Sequence, residues 1–179
     1  MSGEWLRAAG AEYFARPQRL LKRFWAAPQL TVRPAEILMT PATYLSPTSE
    51  QGRAFITRGI SGSVMMLNLL RFRPTADYSA TPALAPNSPI SGEEAYRLYT
   101  EHTLPYLQAS GGEVVFFGRG GNFLIGPTNE RWDAALLVRQ SSVAAFMAFA
   151  TNQGYLSGIG HRTAALEDSR LLPLVNAQA

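Results

Sequence analysis

Hydrophobic and polar positions along this chain fall into blocks with different periods. Residues 64–72, VMMLNLLRF, are almost continuous hydrocarbon with one amide, Asn68, at the centre. That run predicts a first strand over residues 63–73, followed by an irregular loop carrying Pro74, Pro82, Pro86 and Pro89. At Ser91 the period becomes helical. Ser91 is an N-cap, and Glu94, three residues on, is its capping-box partner. This helix should run to about Ser110 and stop at Gly111-Gly112, with Pro105 predicting a kink or break. A second strand is expected over residues 113–118, resuming at 122–125 after the glycine-rich GRGG, whose glycines suit a bulge. A third strand follows over residues 132–139. Ser142 caps a second helix carrying Val143, Phe146, Met147 and Ala150. A break near Gly154 restarts a helix through Leu166, and a fourth strand covers residues 169–175. Of the last stretches, RTAALEDSR reads as a largely solvated face.

The chain before this body is different. Residues 3–27 show helical spacing in Trp5, Leu6, Ala9 and Tyr13 and again in Leu20, Leu21, Phe24 and Trp25, with Pro17 in the first turn of a second helix. Pro28, Pro34, Pro41 and Pro47 punctuate a connector, and residues 49–60 suggest one more short helix. We therefore divide the chain into a basic amphipathic arm with its proline-rich connector, residues 1–45, and a body, residues 46–179.

The body reads βαββαβ, an α+β order that fits a four-stranded antiparallel sheet with both helices on one face. Strand one places Val64, Met66, Leu70 and Phe72 on one side and Met65, Leu67 and Leu69 on the other. VVFF in strand two and AALLV in strand three are likewise apolar on both sides. Two helices can cover only one of them. The remaining apolar face exceeds what a monomer normally exposes. A second copy covering it makes a two-fold homodimer; the arm folding over the sheet is the alternative.

Composition sharpens this picture in a few places. With 179 residues, 46% hydrophobic and 16% charged, the chain has room for one proper core. It has no cysteine, which removes disulfides and thiolate chemistry, and two histidines without an HExxH pattern argue against a catalytic zinc. GISGS lacks the spacing of a nucleophile elbow, and GRGGN matches no phosphate or dinucleotide fingerprint. No metal and no cofactor are expected. The net charge of +3 sits in the arm, where six basic residues up to Arg33 face two acidic ones; the remainder carries ten basic and eleven acidic. The body lacks the basic stripe of a nucleic-acid binder. The arm is expected to pack on its own domain or on a partner subunit, ahead of lying on an anionic membrane. A cytoplasmic protein is expected.

The run VMMLNLLRFRP, then EEAYRLYTEHTLPYL, GGEVVFFG, ERWDAALLVRQSSVAAFMAF and GYLSGIGHRTAALEDSRLLPL, in that order, resembles the domain-of-unknown-function 1330 family. The likeness covers about residues 61–175. It implies membership of the dimeric α+β-barrel (ferredoxin-like) superfamily and hence a homodimer. It implies no particular reaction, since that superfamily serves many.

Candidate chemistry concentrates on the first body helix. Ala95, Tyr96, Tyr99, His102, Thr103, Tyr106 and Leu107 fall within an arc of about 140°. Three phenols and an imidazole on an inward arc suit a pocket lining, although tyrosine also serves as core. Asn68 either caps a backbone group or binds a carbonyl or anion. We take Asn68, Tyr96, Tyr99, His102 and His161 as catalytic candidates. The phenols and the amide would polarise an oxygen, and a histidine would move a proton. Arg71, Tyr106, Trp132, Asp133, Tyr155 and Arg162 are candidates for substrate binding, Arg162 by clamping a carboxylate. Asp133 could instead pair with Arg71 or Arg162. The expected function is small-molecule binding with metal-free isomerase, cyclase or cofactor-independent oxygenase chemistry on a carbonyl- or carboxylate-bearing metabolite. The alternative is a non-catalytic dimeric binding or scaffold module, in which the same residues are a satisfied polar core.

Overall fold

The computed structural model describes residues 43–176; the helices expected in the arm, at 3–27, lie outside them. Within this range the elements are α1 (Ser49–Thr57), β1 (Val64–Phe72), a 3-10 turn (Pro82–Leu84), α2 (Gly92–Ala109), β2 (Glu113–Asn122), β3 (Arg131–Gln140), α3 (Val143–Ala150), α4 (Gln153–Ser157), α5 (Ile159–Ala165) and β4 (Leu166–Leu174). The four strands form one antiparallel sheet in the order β2-β3-β1-β4. This is the ferredoxin-like arrangement, with the apolar β1 at the centre, where a strand must be apolar on both faces.

Caps set the helix ends. The Ser91 side chain accepts from Glu94 N while Glu94 returns a bond to Ser91 N, and Thr48 and Gln51 do the same for α1. Pro105 does not break α2, which runs through it. Its ring lies on the exposed side, where water can serve the carbonyl that loses its partner. The second strand is also unbroken: GRGG lies inside β2, and residues 123–125 fall beyond it. The irregularity expected at those glycines sits instead between Val114 and Phe116. Gly120 answers to close approach, because a Cβ there would run into the carbonyl oxygen of Trp132. β4 begins three residues earlier than expected, at Leu166, and Pro173 is tolerated because β4 is an edge strand.

The helices cover one face. Leu70, Ala95, Tyr96, Ala134, Ala165 and Leu166 form one buried cluster, and Leu107, Phe149 and Tyr155 a second, with Tyr99 packed against both. Among the described residues nothing in the helix layer covers the other face, which carries exposed hydrocarbon. Register places Leu67 between Leu137 and Leu172, Met65 beside Leu174, and Phe116 beside Leu137. Phe116 is 57% exposed and Leu172 52%. Among the described residues no helix is long and apolar enough to cross a membrane.

Candidate functional site

Between the sheet and the helices lies a chain of aromatic and polar side chains. Phe72 on β1 packs on Tyr96 with centroids 5.5 Å apart, Tyr96 on Tyr99 at 5.3 Å, and Tyr99 on Tyr155 at 6.3 Å. The Tyr99 and Tyr155 hydroxyls are 3.1 Å apart. Burial, reinforced by Tyr99, pushes both the Tyr96 and Tyr155 phenols well above the ordinary tyrosine range. The Arg162 guanidinium pulls both the other way and does not win. These phenols are therefore neutral hydrogen-bonding groups at any ordinary pH.

The two histidines join this cluster through backbone and loop. His102 lies with Nε2 2.8 Å from the Gly154 carbonyl oxygen, and its ring presses on Gly158 where any Cβ would collide. A carbonyl only accepts, so Nε2 carries a proton and donates it to Gly154 O. His161 holds Nδ1 2.8 Å from the Tyr78 hydroxyl. Burial, aided by the charge of His102, lowers its pKa and keeps it neutral. Tyr106 packs against the His102 ring at 5.3 Å.

Asn68 caps backbone groups, the first of its two expected roles. Its Nδ2 donates to Met66 O at 3.1 Å and to Leu136 O at 3.4 Å, while no described residue donates to its Oδ1. It shares strand parity with Met66 and Leu70, the latter in the helix-side core.

The structure brings together Tyr96, Tyr99, His102, Tyr106, Tyr155, His161 and Arg162 around the helix layer. It separates Arg71 and Trp132 from them. Arg170 stacks over Trp132 at 4.9 Å and over Tyr44 at 4.7 Å, and Arg71 approaches Trp132 at 5.9 Å. Asp168 sits among them, 2% exposed, accepting from Tyr44 N at 2.7 Å, Ser169 N at 2.9 Å and Arg170 Nη1 at 2.7 Å. Burial raises its carboxyl pKa, but the hydrogen bonds from Arg170, Tyr44 and Ser169 outweigh it and hold the group below the usual carboxylate range.

Three pairings differ from expectation. Asp133 bonds neither Arg71 nor Arg162; it takes Arg131 and the Phe72 N–H, the latter at 2.8 Å. Arg71 finds Glu167 and Asp168 instead, at 3.4 and 3.6 Å. Arg162 is committed within the protein, donating to Leu45 O at 2.6 Å and Ser169 Oγ at 3.0 Å. The stretch read as a solvated face is in fact core: Ala164, Ala165 and Leu166 are fully buried, and Asp168 and Ser169 nearly so. Helical spacing hid this, because the chain changes from helix to strand at Leu166. Tyr78, the partner of His161, lies in an irregular loop and carried no periodic signal. Tyr44 and Arg170 were equally silent, since they meet only across the sheet edge.

No family model and no curated protein matches the chain. Solved structures do. RPA0582, a protein of unknown function from Rhodopseudomonas palustris, is 35% identical, with a TM-score of 0.67 over 77% of this chain and 100% of that one. The methylated form of RPA0582 aligns at 35% identity over 76% of this chain and 96% of that one, with a TM-score of 0.68. A dimeric protein of unknown function with a ferredoxin-like fold, from Bacteroides fragilis NCTC 9343, is 12% identical over 63% of this chain and 94% of that one. Its TM-score is 0.39, a likeness too slight to argue from.

Proposed function

We propose that this chain, which belongs to the family of the RPA0582 protein of Rhodopseudomonas palustris, is a small-molecule-binding homodimer that performs metal-free chemistry between its sheet and helices. The motif order over residues 61–175 supports placing it with the domain-of-unknown-function 1330 family. The uncovered apolar sheet face supports the homodimer, because a second copy hides Phe116, Leu67 and Leu172 at once.

The observation that carries the chemical reading is the hydrogen bond that fixes the His102 ring. With Nε2 held on Gly154 O, Nδ1 is the ring nitrogen left to take or give a proton, beside the Tyr106 ring. The Tyr99–Tyr155 pair supplies a neutral hydroxyl that can donate to a carbonyl oxygen, and Asn68 Oδ1 adds an acceptor. Such a set suits proton removal beside a carbonyl, the step shared by isomerisation and cyclisation; cofactor-independent oxygenation begins the same way. Tyr96, with its raised pKa, lines the site as a neutral phenol, and His161 supports it through Tyr78. Native mass spectrometry of full-length protein purified from its own host tests this. A bound small molecule is expected, and it should be absent from His102→Ala and Asn68→Ala. Empty wild-type protein, with variants that change thermal stability alone, would overturn it.

One observation favours a second reading, a non-catalytic module. Arg162, His161, Tyr99 and Tyr155 all find partners inside the protein, as members of a satisfied polar core do.

A further inference from the structure

At the far end of β1 an open cleft of about 410 Å³ lies between the sheet and the start of α2. Phe72 and Phe117 form apolar walls. Five charged groups line it, and four of them cancel. Arg119 Nη2 is 2.5 Å from Glu93 Oε1, and Arg131 is bound to Asp133. Arg73 is left over. Among the described residues no carboxylate lies at ion-pair distance from it, and its Nε is buried without a hydrogen-bond partner. Asp77 is near enough to feel the charge of Arg73, but it is fully exposed and already accepts from Ser79 N at 3.0 Å.

The position of Arg73 is fixed by its backbone. Its N–H donates to Ala165 O at 2.9 Å, and its carbonyl accepts from Gly92 N at 3.0 Å. Gly92 permits that approach, since a Cβ there would strike Arg73 and Ala165 backbone atoms. A buried guanidinium nitrogen without an acceptor is costly. The paired charges leave the cleft with the single positive charge of Arg73. A guanidinium fork matches a carboxylate, and two phenyl walls suit a flat apolar body.

We propose that this cleft binds a small carboxylic acid with a flat apolar body, an aryl carboxylate. Arg73 takes the carboxylate, and Phe72 and Phe117 hold the body. The cleft is separate from the His102 cluster and shares with the sequence-derived candidates only Asp133. Phe72 stands between the two, with one side against Tyr96.

Isothermal titration of the full-length protein with benzoate, against the neutral isostere benzamide, tests this. Benzoate should bind saturably and benzamide about tenfold more weakly or worse. Arg73→Gln should weaken benzoate by about tenfold, and Arg73→Lys should recover only part of it, since an ammonium lacks the fork. Arg73 is partly buried, so Phe117→Ala is the second variant. Its ring is 57% exposed, so the fold should survive, and benzoate should weaken several-fold. Glu93→Gln frees Arg119 and should tighten benzoate. No saturable benzoate binding, equal binding of benzamide, or wild-type affinity in folded Arg73→Gln and Phe117→Ala would each overturn the proposal. None of these readouts depends on the His102 site.

Discussion

Tyr99 on α2 and Tyr155 on α4 meet tip to tip, their hydroxyl oxygens 3.1 Å apart across 56 residues of sequence. Tyr99 also packs against both buried clusters, so this contact ties the two halves of the helix layer together. One hydroxyl donates and the other accepts. Removing either hydroxyl leaves its neighbour in a poorly hydrated place.

A double-mutant cycle should therefore show coupling. Tyr99→Phe and Tyr155→Phe should each cost about 1 kcal/mol, and the double variant clearly less than their sum. Urea denaturation measures all three. Strict additivity would show that the hydroxyls do not bond.

His161 predicts a pH dependence. Its pKa is lowered from the ordinary 6.5 by burial first and by His102 second. The unfolded chain thus takes up a proton before the folded one does. The stability due to the neutral ring is fully present above pH 6.5. It is lost as pH falls from there through the folded pKa. Denaturation midpoints between pH 7.5 and 5 should decline, and His161→Gln should flatten that decline. An unchanged slope in the variant would refute the assignment.

Asp168 is the buried charge on which the sheet edge depends. Asp168→Asn should destabilise by about 2–3 kcal/mol, because Arg170 and Arg71 lose their anion. The exposed pair Arg97–Glu101, at 2.5 Å on α2, is the control; Arg97→Ala should stay within about 0.5 kcal/mol. Thermal melts of both variants would compare them. A costlier loss at Arg97 would invert this ranking of buried over exposed charge.

Leu172 lies in the uncovered sheet face, beside Leu67 and 52% exposed. Leu172→Glu should give a monomer by sedimentation equilibrium while far-ultraviolet circular dichroism stays unchanged. Wild-type protein that sediments as a monomer would remove the homodimer.

The strands and the first body helix were readable because their causes are local. A run such as VMMLNLLRF is apolar on both faces wherever it sits, and Ser91 and Glu94 cap a helix through atoms three residues apart. Whether Pro105 breaks α2 depends on which side of the helix meets water, which spacing alone does not give. The inward arc of α2 was legible from spacing, and it is the arc that carries the candidate site. What the arc touches was not. The partner of Tyr99 is Tyr155, and that of His102 is the Gly154 carbonyl, both on α4.

The order of elements, the two-sided apolar sheet and the phenol-rich helix face can all be read along the chain, because periodicity and capping are short-range properties. Which charges are spent on each other is set by the folded packing. Asp133 went to Arg131, Arg71 to Asp168, and Arg162 to Leu45 and Ser169. Arg73 was left at its cleft. Such pairings depend on distances across strands and helix ends, and no local pattern encodes a distance between residues far apart in the chain.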